Sequence, residues 1–128
     1  VYPGDCVRGE FEVSPENCEG HAVDKGKMVF RGVDMIEMAA QTLGVYWSVV
    51  RPEFKGRTVL FRAVDKVKFR GVVHVNEEVA VTVFLANISE KISESRGTGE
   101  LVGREISVSS SEKEVAHISA ITLVLLPN

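Results

Sequence analysis

Residues 33 to 50, "VDMIEMAAQTLGVYWSVV", constrain this chain more than any other stretch. They have the length and period of a helix, and two thirds of them are apolar. The apolar positions point nearly all round, as in a helix enclosed by a core rather than laid on a surface. Asp34, Glu37, Gln41 and Ser48 fall at helical spacing on one side and draw a narrow polar stripe along it. The helix is expected to stop before Pro52, because the residue preceding a proline disfavours the α region. A carboxylate near the first turn of such a helix, with an amide one turn on, calls for a reason.

The rest of the chain predicts strands. "GEFEVSP" (9 to 15) alternates and runs into Pro15, while "ENCEGHAVDKGKMVFRG" (16 to 32) reads as a loop. Residues 58–70, 78–88, 99–110 and 114–126 are rich in β-branched residues or alternate apolar with polar. The polar connector "SEKISESRG" (89 to 97) is expected to bend as a long hairpin, and "SSSEKE" (109 to 114) as a second hairpin turn. Strands joined by hairpins make an antiparallel sheet whose apolar face must be covered, and one helix is available to cover it. The expected fold is α+β: a curved antiparallel sheet wrapped around one central helix. That is the hotdog arrangement, or another α+β roll, with residues 1–128 as a single domain.

Composition sets the function classes. At 128 residues, 45% hydrophobic and 26% charged, the chain reads as a globular domain. No apolar run reaches the roughly 18 uncharged residues of a membrane span, and no signal-peptide pattern is present, so a cytoplasmic protein is expected. Cys6 and Cys18 lack metal-ligand spacing and read as two reduced thiols, with a disulfide as the alternative. The net charge of −3 conceals a basic segment, residues 51–70, with seven basic and two acidic side chains. One basic segment in an acidic chain suits docking of a single anionic partner, or is simply a solvated strand face; a nucleic-acid binder would be basic overall. His21, His74 and His117 do not form a metal-ligand spacing.

"EFEVSPENCEGH", Gly32-Val33 with Glu37 and Gln41, "RPEF" and "AVDKVKF" follow one another in an order and at intervals that resemble one family. These are the β-hydroxyacyl-acyl carrier protein dehydratases of the FabA/FabZ type, hotdog enzymes whose pattern runs G-H-F-P, P-G-V, E-x-x-x-Q and I-D-K-x-R-F. The resemblance spans Glu10 to Phe69 and is weak beyond. Three pieces depart from it: "GHAV" stands for G-H-F-P, Arg31-Gly32-Val33 for P-G-V, and "VHVNE" (73 to 77) for V-x-P-G-D.

The resemblance implies that His21 and Glu37 are the catalytic pair, facing each other from opposite subunits of a homodimer, with Glu37 substantially buried. It implies that Gly32 and Val33 position the thioester and that Gln41 orients Glu37 from one turn away. The substrate would be a thioester of acyl carrier protein or coenzyme A, with no nucleic acid or membrane partner and no cofactor or metal. Arg51, Lys55, Arg57, Lys66, Lys68 and Arg70 would form a rim for that anionic carrier, extended by Lys25, Lys27 and Arg31. The chemistry fits these residue types. Eliminating water from a 3-hydroxyacyl thioester needs a base near neutrality for the C2 proton, and histidine is one. It also needs a carboxyl to protonate the departing hydroxyl, and N–H donors at a helix start for the enolate oxygen. Two alternatives use the same residues differently: a hotdog thioesterase, with Glu37 activating water, and a non-catalytic acyl-binding or assembly subunit. Taken singly, His21 reads as a loop histidine and Glu37 as the solvent edge of a helix.

Overall fold

The structure, a computed structural model, describes residues 5–12, 22–23, 27–28, 32–71, 73 and 77–127, with the backbone alone at 22–23 and 27–28. The strands are β1 (Cys6–Glu12), β2 (Ala22–Val23), β3 (Lys27–Met28), β4 (Val59–Phe69), β5 (Glu78–Phe84), β6 (Ile88–Ser93), β7 (Thr98–Ser110) and β8 (Lys113–Leu125). One α-helix, α1, runs from Gly32 to Val50. Six strands form an antiparallel sheet in the order β1-β5-β7-β8-β4, with β6 beside the first half of β7, and β2 and β3 pair separately. This is the α+β arrangement expected from the sequence, one long helix against one antiparallel sheet.

The helix lies where its sequence directs. Met35, Met38, Ala39, Leu43 and Trp47 recur at helical spacing and are buried against the sheet. Asp34 in the first turn complements the positive end of the helix dipole. Gly103 of β7 lets the backbone approach: a Cβ there would meet both Leu43 methyls at 2.9 Å. The opposite side of the helix is not enclosed, and Val33, Val45 and Val49 are more than 60% exposed. The apolar residues that pointed all round therefore divide into a buried face and an uncovered one.

The sheet bends to wrap the helix. Along β7 the buried positions run Leu101, Gly103, then Ile106 and Val108; along β8 they run Ala116 and Ile118, then Ile121, Leu123 and Leu125. Both strands change phase at the same level. There Glu105 and Lys66 take positive φ (53° and 47°), and the register puts them on either side of Ser119. A local break of this kind raises the twist and re-aims the side chains that follow it. The β7–β8 hairpin closes through Ser111 and Glu112, both with positive φ, as a two-residue primed turn requires. That is the hairpin expected in "SSSEKE". The connector at 89–97 bends as the expected hairpin, closing between Ser93 and Thr98, but its first five residues are strand rather than solvated turn. Ile88 and Ile92 of β6 pack against the core. The first strand begins at Cys6, earlier than expected, and residues 13–15 lie outside the described part.

The end of α1 is tied to β6. The Trp47 indole N–H donates to Glu90 Oε2 at 2.7 Å, and the Arg51 guanidinium donates to Glu90 Oε1, through Nε at 3.0 Å and also through a terminal nitrogen. The hydrogen bond from Arg51 holds the Glu90 carboxyl below its usual range; burial opposes that, and the Trp47 hydrogen bond adds to it. A carboxyl whose folded pKa is lowered contributes stability that is complete above the ordinary value near 4.5 and is lost as pH falls through the lowered one. Glu90→Gln should therefore be less stable than wild type at neutral pH, with the gap closing in acid. Urea midpoints across that range test this, and a gap independent of pH would assign the loss to shape rather than charge.

Candidate active site

The polar stripe of α1 opens onto a groove of about 800 Å³ between the helix and the sheet edge formed by β4. The helix contributes Ile36, Glu37, Ala40, Gln41, Gly44 and Ser48 to one wall, with Val33 at its N-terminal end. Val59 and Phe61 of β4, with Leu123 of β8, make the other. Glu37 and Gln41 make no hydrogen bond or ion pair with any other described residue, and none with each other. Ser48 differs: its hydroxyl donates to the Val45 carbonyl at 2.8 Å. Free polar groups are thus gathered toward one end of a groove that is otherwise apolar.

Glu37, expected to be substantially buried, is exposed in the chain on its own. The physical reason is the turn of the helix. Met35, Met38 and Leu43 take the inner face, so Glu37 at the complementary phase lies on the outer one. Nothing among the described residues encloses it. His21 lies outside the described residues, as do Lys25, Arg31, His74 and Cys18, and Lys27 is described by its backbone alone. Cys6 is an exposed free thiol.

Gly32 is the first residue of α1, and a Cβ there would meet the Phe69 ring at 2.7 Å, so glycine is what lets that ring lie against the helix start. The expected basic rim divides. Arg51 is held by Glu90, Arg57 donates to the carbonyls of Gly97 and Leu126, and Arg70 pairs with Glu114 at 3.0 Å. These three brace the fold. Lys55, Lys66 and Lys68 are exposed and have no partner among the described residues. Lys66 stands at positive φ, which breaks the period-two alternation that would put it on one strand face with Lys68 and Arg70. His117 pairs with Glu105 at 2.9 Å, well away from the groove residues in the sheet register. Among the described residues no three His, Cys, Asp or Glu side chains are placed to hold a metal, and no helix is long and apolar enough to cross a membrane.

Phe61, Val59 and Gly44 were not singled out in the sequence. The first two matter because β4 lies at a sheet edge, which local pattern does not reveal. Gly44 carried a signal: a glycine inside a helical run costs stability and wants a reason.

Comparison with known proteins defines the class first. Solved structures with the same fold include a mutant of the fluoroacetyl-CoA thioesterase FlK in complex with fluoroacetate (TM-score 0.69, 16% identity, 99% of this chain and 90% of that one). Another is the putative thioesterase yhdA from Lactococcus lactis (TM-score 0.66, 14% identity, 96% and 84%). The fold is the hotdog. No protein-family model matches the chain. The relatives by sequence are more specific. The 3-hydroxyacyl-[acyl-carrier-protein] dehydratase FabZ of Enterococcus faecalis is 31% identical over 108 residues, covering 83% of this chain and 74% of the relative. That of Ligilactobacillus salivarius is 34% identical over 104 residues, covering 80% and 69%. The chain belongs to the FabZ family of dehydratases.

Among the described residues, a Cβ added at Gly44 would meet Leu123 Cδ1, at 4.0 Å, and nothing nearer. Gly44→Ala should therefore stabilise the chain by up to about 1 kcal/mol, the helix-propensity difference between the two. Thermal or urea melting measures it. A loss of stability would mean that the space is filled in solution.

Proposed function

We propose that this chain dehydrates 3-hydroxyacyl thioesters to trans-2-enoyl thioesters in fatty-acid or related acyl-chain metabolism, as a 3-hydroxyacyl-[acyl-carrier-protein] dehydratase. One observation carries the reading: in a chain of the FabZ family, Glu37 and Gln41 stand on the wall of an apolar groove with no partner among the described residues. His21, matched to the family's histidine, removes the C2 proton, and Glu37 protonates the hydroxyl as it leaves C3. The proton lost and the proton gained balance, and the product is water plus the enoyl thioester. Gly32 and Val33 position the thioester at the helix start, where backbone N–H groups lack intrahelical acceptors. The thioester is carried by acyl carrier protein or coenzyme A, and the enzyme works in the cytoplasm.

The working unit is a homodimer. Two features support this. Among the described strands β4 pairs with β8 alone and stands at the sheet edge, and Leu60, Phe61, Val64 and Phe69 on it are all at least 40% exposed. Val45 and Val49 continue that apolar surface onto the helix. A second copy laid there would cover Glu37 and bring its own His21 to the groove. Sedimentation at micromolar concentration should give a dimer, and a monomer there would remove the shared site.

Glu37→Gln should keep the fold and lose dehydration by about 10²–10⁴-fold, as should His21→Ala. The assay follows enone absorbance with 3-hydroxyacyl thioesters, with free thiol measured in parallel. Thiol release without enone would assign the chain to thioester hydrolysis, and neither signal would make it a binding subunit.

Carrier docking falls to Lys55, Lys66 and Lys68, the members of the basic segment left unpartnered among the described residues. Lys68→Glu should raise KM for carrier-bound substrate at low salt and leave kcat unchanged, because exposed charges guide encounter and are screened by salt. An unchanged KM would assign that lysine to solvation alone.

A further inference from the structure

We infer that Gly44 sets how long an acyl chain this site accepts, and that the groove is shaped for chains that run past it. The inference rests on the dehydratase reading and concerns what that reading leaves open, the tail of the substrate. Gly44 lies in the middle of a 19-residue helix, where glycine is the least favourable residue after proline. Nothing among the described residues demands it. There an added Cβ would lie 4.0 Å from Leu123 Cδ1 with no nearer neighbour, and Gly44 is not among the residues with positive φ. What its missing side chain does is leave the groove open between α1 and the wall made by Phe61 and Leu123.

The distribution of polar groups selects the occupant. Glu37 and Gln41 are the polar side chains of this wall with no partner among the described residues, and beyond them come Gly44, Val45 and Ser48, whose hydroxyl donates to the Val45 carbonyl. A ligand with one reactive polar end and a hydrocarbon tail matches that order, tail toward Ser48. Gly44 lies seven residues beyond Glu37, about 10 Å along the helix. A butyryl chain carries a single methyl beyond its reacting carbons and ends well short of it. A tetradecanoyl chain passes it and has to share its level with whatever side chain stands there.

Gly44→Leu and Gly44→Ala test this with 3-hydroxybutyryl- and 3-hydroxytetradecanoyl-coenzyme A. Wild type should dehydrate both. Gly44→Leu should lose about 10- to 200-fold in kcat/KM on the long substrate, the range for hydrophobic groups added or removed in a pocket. It should stay within about twofold of wild type on the short one, with Gly44→Ala between wild type and Gly44→Leu. Equal losses on both substrates, or no loss on the long one, overturn the inference, as does a wild type confined to the short chain. A changed oligomeric state in Gly44→Leu also overturns it, since a second copy would then occupy the groove. If wild type dehydrates neither these substrates nor the same acyl groups on acyl carrier protein, the dehydratase reading fails and the inference is read from calorimetry with tetradecanoyl-coenzyme A. Binding to wild type but not to Gly44→Leu supports it, and equal binding or none to either overturns it.

Discussion

Everything in this molecule follows from a helix that can bury only one of its two apolar faces. Leu43 and Trp47 are almost wholly enclosed, and the sheet must curve to reach round them. It does so at the level where Lys66 and Glu105 flank Ser119 with positive φ, and where the buried sets of β7 and β8 change phase together. With Leu43 packed onto Gly103, the rotation of the helix is fixed, because no other phase lets the two backbones approach so closely. Glu37 and Gln41 are then carried to the outer face by the 3.6-residue period alone. The placement of the candidate acid is thus a consequence of core packing two turns away.

The tie at the far end of the helix acts on the same variable. Glu90 accepts from both Trp47 and Arg51, one a core residue and the other just past the helix end, so a single carboxylate of β6 fixes the helix end against sliding as well as turning. Arg51 thereby leaves the pool of charges free to meet a partner, and so do Arg57 and Arg70. An ion pair exposed on a surface contributes little. One that also receives an indole N–H from the core couples surface charge to core position, which explains why a residue with the charge of a docking group braces the fold instead.

What the sequence disclosed, and what it withheld, divides along the same line. The helix was legible because its period and the stop before Pro52 are local, and β7 and β8 because their β-branched residues are. The hairpin at Ser111 and Glu112 was legible from its serine-rich, charged turn. β6 was not, because Ile88 and Ile92 are two apolar residues among charges, and only pairing with β7 distinguishes a strand from a solvated bend. The order Gly32, Glu37, Gln41 was legible as a motif, yet the exposure of Glu37 was not. Burial of an outer-face carboxyl depends on what covers that face, which the helical period does not encode. The fates of Arg51, Arg57 and Arg70 were hidden for a related reason, since their partners lie 39 to 69 residues away in the cases of Arg51 and Arg57.

The two kinds of relatedness point to different proteins, and the difference is instructive. FlK and yhdA, solved structures of the same shape, carry thioesterase titles at 17% identity or less, while the sequence relatives at about 30% carry the name of a dehydratase. Shape at that identity reports how a helix is enclosed by a sheet, and a fold of this kind hosts several chemistries. Identity over four fifths of the chain reports side chains, including those that are useless to the core. Glu37 and Gln41 are of that sort. They bury nothing and bond to no other described residue, and an exposed acid on a mostly apolar helix face costs solubility nothing and stability little. Packing accounts for Met35 and Leu43, which face the core, and leaves the carboxyl of Glu37 and the amide of Gln41, one turn apart beside an apolar groove, without a packing role among the described residues. That is why the sequence relatives, and not the structural ones, carry the weight in assigning the reaction.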